Sequence, residues 1–295
     1  NFTSGTHTMA GSVHFEVPGQ VLFSGANVTF AGGYAIDGNA GISSGAVSFT
    51  AGSQISGTLS LSGGTLGGGG DVTVTNAMNW SGGTLSGAGS LTMRPGGTLA
   101  ISGGADKSLN RVLRNAGSLV WSGGRIFAAN GVINNLAGTI FEVRSDQPFY
   151  DGEINNAGTL IKTAGTGTTT LAGSSVGPAR LNNSGLLRLQ SGSLLLPGHG
   201  AHSGTFLVET NATLNFSGGT HTLANGSAFS GVGTVRFQTA VELDAAVNFG
   251  ALSVIFENSA SLSGTFKLSN SPGGTLTFNK SLTVPGSMTI AGTLL

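Results

Sequence analysis

The chain has 295 residues with 12 Lys or Arg and 12 Asp or Glu, so it is neutral and only 8% charged, against roughly 25% in an ordinary globular protein. Zero net charge offers no electrostatic footprint for nucleic acid or an anionic membrane surface, and no apolar run approaches the ~18 residues of a membrane span. Cysteine is absent, which excludes disulfide and thiolate-metal frameworks; 52 glycines beside 39% hydrophobic residues suit short apolar strands joined by many tight turns, not a solvated linker.

In chain order, the first feature is a near-duplication. NFTSGTHTMA at Asn1–Ala10 returns as NFSGGTHTLA at Asn215–Ala224. The two are expected to be equivalent coils of a long repeat, of which this chain is a segment. There is no initiating Met and no signal peptide, so Asn1 reads as a processed or truncated end. GISSG at Gly41–Gly45 matches the G-x-S-x-G nucleophile elbow, as does GSSVG at Gly173–Gly177. That motif needs a strand-to-helix turn, and no segment carries a helical apolar period. GGGGDV at Gly67–Val72 is near the calcium nonapeptide of β-rolls, but one copy supplies too few oxygens for the six to eight ligands that calcium prefers.

The dominant signal follows. An apolar residue precedes Ser-Gly-Gly at Leu61, Trp80, Ile101 and Trp121, and the intervals between these positions are nearly constant. A second landmark takes over, with Asn115, Asn135 and Asn155 evenly spaced by the same interval. The glycines that follow, Gly117, Gly138, Gly158 and Gly185, keep that spacing until the last step, which is distinctly longer. Within one unit, Leu85, then Leu91 and Met93, then Leu99 and Ile101 mark three short strands separated by SGAGS and RPGG turns. The prediction is an all-β, single-stranded parallel β-helix of about 20 residues and three strands per coil. It covers residues 1–295 continuously as about fifteen coils at ~4.8 Å per layer. Leu61, Trp80, Ile101 and Trp121 should form one stacked column, and Asn115, Asn135 and Asn155 either an amide ladder or simple turn residues. The long step from Gly158 to Gly185 predicts a loop insertion over 163–180.

The units WSGGTLSGAGSLTM, INNAGTLIKTAGTGTTTL and LNFSGGTHTL resemble those of large bacterial surface and secreted proteins, the filamentous-haemagglutinin-like adhesins and autotransporter passengers. The resemblance is best from Leu59 to Phe237 and weakens after Gln238. It implies a secreted or cell-surface β-solenoid.

Two constellations carry the remaining chemistry. His202 and His221 lie about one coil length apart, with His199 nearby and His7 repeating the setting of His221. They are expected in one column, as a metal-binding or pH-sensitive pair or, more simply, a surface stack of neutral imidazoles beside Thr hydroxyls. Glu142, Arg144, Asp146, Asp151, Glu153 and Lys162 concentrate a quarter of the chain's charges in one short segment. Glu142 and Lys162, one coil length apart, are expected to pair between coils. Polysaccharide lyases and pectin hydrolases also use right-handed β-helices, and converging carboxylates are what glycan cleavage needs. The alternative is a solvated turn with weak cross-strand pairs.

The sequence therefore points to an extracellular structural protein, not an enzyme: a filament segment, adhesin stalk or scaffold without cofactor or metal. Its partners would be flanking repeats, other copies stacked end to end, or surface glycans, with no nucleic acid and no membrane insertion. The bare ends, Phe2 at one and Leu294–Leu295 at the other, predict that the natural object continues past both. The alternative is a carbohydrate-active or glycan-binding β-helix using Glu142–Lys162.

Overall fold

The computed structural model describes residues 1–16, 19–174, 177–243, 246–257, 261–263, 267–279 and 289–291. Among them there is no helix, and parallel strands stack as a β-solenoid of about 13 turns with about 20 residues per coil. The chain falls into two compact units, Asn1–Phe141 and Glu142–Leu295.

Three strands make a coil because apolar side chains alternate within each short run and Gly-rich turns separate the runs. In the first unit, Ala77–Trp80, Gly83–Ser86 and Leu91–Met93 complete one coil. Each pairs in parallel with the corresponding strand of the next coil, Thr98–Ile101, Lys107–Asn110 and Val112–Asn115. Alternation turns Met78 and Trp80 inward and leaves Asn79 exposed. The inward residues are fully buried, each such burial worth roughly 1.5–3 kcal/mol. Corners need glycine where coils touch: Gly87 has φ 97°, and a Cβ there would lie 2.1 Å from the Gly68 carbonyl oxygen.

Two coils of the first unit depart from the three-strand expectation. Gln20–Phe30 and Asn39–Phe49 are long strands that run through the first corner without a break. Their pairing shifts register at Phe23/Ser24 and Ser24/Asn27. FSGAN and ISSGA put only small residues at that corner, so the ladder bends there instead of ending. Gly41–Gly45 therefore sits in a strand with no helix after it. The second elbow match, Gly173–Gly177, includes positions 175–176, outside the described residues.

In the second unit the second strands Thr213–Phe216, Thr234–Phe237, Ser253–Phe256 and Thr275–Phe278 are in register. Each ends on phenylalanine, and these rings stack at centroid distances of 4.8, 5.1 and 4.8 Å. The regular column thus continues past Gln238, although the repeat landmarks fade there. Aromatic stacking preserves the coil spacing with little help from the turn sequence.

The segment 163–180, expected as a loop insertion, is not loop throughout. It contains the strand Thr168–Ala172, with Thr169 and Leu171 buried, paired to Ser193–Leu196 on one side and to Phe149–Tyr150 on the other. The extra length falls mainly between Ala172 and Arg180, while the flanking ladders keep their register across it, with Ile154 opposite Leu181 and Leu160 opposite Leu187.

Nor are the two decapeptides equivalent. Thr6–Met9 pairs with Asn27–Phe30 and directly precedes the third-face strand Val13–Phe15, so it is a second strand. Thr220–Leu223 follows the second strand Thr213–Phe216 and pairs with Gly200–His202, so it is a third strand. The same words are written one face apart, and His7 is partly exposed whereas His221 is buried. Positions 292–295, with Leu294 and Leu295, lie outside the described residues.

Candidate functional site

Leu61, Trp80, Ile101 and Trp121 are successive Cα partners at the ends of four first-face strands, each at most 1% exposed. The Trp121 indole Nε1–H donates to the Gly124 carbonyl at 2.9 Å, which pins the following corner. This column is core.

Asn115 and Asn135 are Cα partners, both buried. Asn115 Nδ2 donates to Asn135 Oδ1 at 2.8 Å and to the Ile140 carbonyl at 2.9 Å, while Asn115 Oδ1 accepts from the Gly117 amide at 3.2 Å. Asn155 does not share this inward phase. In Glu153–Asn156 the buried position is Asn156, whose Nδ2 donates to Asn183 Oδ1 at 2.7 Å. Asn155 turns outward and accepts from Asn182 Nδ2 at 2.9 Å. Repeating the interval from Asn135 lands one position short, and one position reverses the face. Asn115→Leu should cost about 1–3 kcal/mol, because it strands the Ile140 carbonyl and the Gly117 amide. A urea titration by circular dichroism checks this; an unchanged midpoint would mean the amide bonds contribute nothing.

The charged cluster does not converge. Glu142 binds Arg144 at 2.8 Å and accepts from Thr163 Oγ1 at 2.6 Å; the Arg144 bond, the largest influence, holds its carboxyl below the usual range. Lys162 pairs with Asp146 at 2.6 Å, not with Glu142. Its side chain is 2% exposed and also donates to the Ser145 and Ala164 carbonyls and to Thr169 Oγ1. Leu160 and Lys162 share one phase of the alternation, so the ammonium points inward. Asp151 is buried at φ 59° and accepts from the Ser174 amide and hydroxyl, both at 2.7 Å. Glu153 accepts from Asn182 at 3.2 Å. These carboxylates tie corners together.

Two further buried cations went unnoticed in the sequence. Lys107, fully buried, donates to the carbonyls of Gly103, Ala105 and Gly123 at 3.2, 2.8 and 3.1 Å. Burial lowers its pKa, with the charge of Asp106 opposing. Arg111 donates to the carbonyls of Gly89, Gly70 and Ser90, and burial pushes it down to about 10. The available signal for Lys107 was its phase, since in KSLN it alternates with Leu109 on the inward side.

His202 and His221 do come together, but out of register by two positions and inside the core. The Cα partner of His221 is Gly200, and that of His202 is Leu223. Gly200 leaves the space into which the His202 ring folds: a Cβ there would meet that ring at 2.7 Å. The imidazoles stack at 5.3 Å between centroids, with His202 Nε2 and His221 Nδ1 3.1 Å apart. Phe206 and Phe216 present edges to them. Burial first, then the neighbouring ring, pushes His202 down to about 3; burial pushes His221 down to about 4, with the Leu196 and Gly218 carbonyls opposing. Neither ring is a surface imidazole; both are buried. Among the described residues no group of three or more His, Cys, Asp or Glu is arranged to hold a metal ion.

Parallel strands in register, inward amide pairs and cation-capped corners define the class: a β-solenoid repeat protein. Comparison with known proteins adds no relative: no family model matches the chain, and no curated protein or solved structure does.

Proposed function

We propose that this chain is an extracellular structural β-solenoid, a filament segment, adhesin stalk or surface scaffold like the filamentous-haemagglutinin-like and autotransporter-passenger-like proteins its repeat units resemble. The observation that supports this reading is where its scarce ionic groups go. Lys107, Arg111 and Lys162 donate to corner carbonyls, and Asp146 and Asp151 accept from neighbouring coils. Charge used this way resists shear between coils and leaves no poised acid–base pair in the Glu142–Lys162 segment. The extracellular placement rests on the resemblance alone.

The partner is more of the same architecture. Among the described residues, Thr6–Met9 and Val13–Phe15 are paired along one edge only. A further coil, from flanking repeats or from another copy, would add by strand pairing. Electron microscopy and sedimentation of the full chain over a concentration series test this. Fibres with a meridional spacing of about 4.8 Å are expected. A compact monomer at every concentration overturns end-to-end stacking.

A further inference from the structure

The outward side of the third face in the second unit carries a feature that the mechanical reading leaves unused. Asn155, Asn182, Ala201 and Thr222 follow one another across adjacent strands. The Ala201 amide donates to Asn182 Oδ1 at 3.0 Å, which closes the ladder where Gly200–His202 is short. Ala201 is the one small side chain in the row, and two adjoining hollows meet over it, of about 260 and 370 Å³. Both are lined by Asn182, Ala201 and Thr222.

The smaller hollow is a donor site. Arg180 and His199 line it with Thr220 and Thr222. Arg180 is exposed, and none of the six ion pairs among the described residues uses it. The Thr220 amide donates to His199 Nδ1 at 2.9 Å. A backbone N–H can only donate, so Nδ1 is the bare nitrogen and Nε2 carries the hydrogen, leaving His199 a fixed donor. The neighbouring carboxylates, Glu153 and Glu242, accept from Asn182 and Thr222 and line neither hollow. The larger hollow is different: Ala157, Ala201 and Ala224 give it apolar patches, while Asn155, Ser184 and Ser203 supply amide and hydroxyl groups.

We propose that these two hollows form a binding groove for an acidic saccharide. The carboxylate of one sugar lies against Arg180 and His199 Nε2–H. The next sugar rests its C–H face on the alanines, with its hydroxyls bonded to Asn155, Ser184 and Ser203. A guanidinium suits a carboxylate because it donates two parallel N–H bonds. Alanine patches among amides and hydroxyls suit a ring whose faces are apolar and whose rim is polar. This groove stands independently of the stacking proposal and would serve a solenoid of any length.

The test is calorimetric titration of the full chain with a tetrasaccharide of alternating glucuronate and N-acetylglucosamine, and with its neutral methyl ester. Wild type should bind the acid form and bind the ester at least tenfold more weakly. Arg180→Gln should lose roughly ten- to a hundredfold in affinity for the acid form, the usual range for a bond to a charged group. Ala201→Trp, which fills the dip, should abolish binding. Both positions face solvent, so an unchanged melting temperature certifies the fold of each variant. Failure of wild type to bind the acid form, equal binding of the ester, or undiminished binding by folded Arg180→Gln would each overturn the proposal.

Discussion

Lowering the pH from 7 to 4 is expected to destabilise the second unit by several kcal/mol through two residues, His202 and His221. Both imidazoles are neutral in the fold, pushed down to about 3 and about 4. In the unfolded chain each titrates near 6.5, so below that pH the unfolded state binds more protons than the folded one. Stability is therefore fully present above about pH 6.5 and falls as the pH drops, each ring contributing roughly 1.4 kcal/mol per pH unit until the folded pKa values are reached. Asp106, Glu142, Asp146 and Glu257 have lowered pKa values and add losses of the same sign, but only in the acid range of carboxylates. The window from about pH 6 to 4.5 thus isolates the histidines. Denaturant titrations across that window should show the midpoint falling in wild type. A His202→Phe, His221→Phe double variant, whose rings extend the Phe206 and Phe216 packing, should hold its midpoint almost constant. Equal acid sensitivity in the two proteins would show that the buried pair is not the cause.

Leu99→Asp is expected to unfold the first unit or bring it close to unfolding. Leu99 lies between its Cα partners Met78 and Leu119, and all three are at most 1% exposed. A carboxylate there has no donor to meet. It must either remain charged without a partner or take up a proton, and in either case it forfeits the packing of the leucine. The cost is about 3–5 kcal/mol, a large part of the roughly 5–15 kcal/mol by which domains are ordinarily stable. Thr98→Asp provides the control: Thr98 is the adjacent residue and exposed, so the same charge should change stability by no more than about 0.5 kcal/mol. Thermal melts of the two variants decide it. If Leu99→Asp melts with wild type, Leu99 is not core and the alternation has been assigned to the wrong face.

The features legible beforehand are those that depend on period. A nearly constant spacing places Leu61, Trp80, Ile101 and Trp121 opposite one another, because each coil must return to the same strand after a nearly constant length of chain. Alternation within LTM or TLAI assigns inward positions for the same kind of reason. Where an interval drifts by a single position, the inference fails at once. Asn155 keeps the exact interval from Asn135 and faces out, while Asn156 faces in. The long step from Gly158 to Gly185 was legible as extra length but not as a strand, since TTTLA competes with its Gly-rich flanks and only pairing with Ser193–Leu196 decides it.

The amino-acid sequence by itself determined that this protein is all-β, parallel and coiled, with about 20 residues and three strands per turn. Those properties follow from apolar alternation and turn chemistry, both local and repeated. Only the tertiary structure decided what the exceptional residues do. Lys107 and Lys162 point inward because coils leave carbonyls uncapped at their corners, and a long aliphatic stem can cross apolar surface to reach them. His202 meets His221 because Gly200, opposite His221, leaves a hole that the imidazole just beyond it in the strand fills. Arg180 and His199 line one hollow because neighbouring coils bring them beside Ala201, the small residue in the row between Asn182 and Thr222. Each of these depends on which residue lies one coil away and on the space it leaves, quantities that no single coil of the sequence contains.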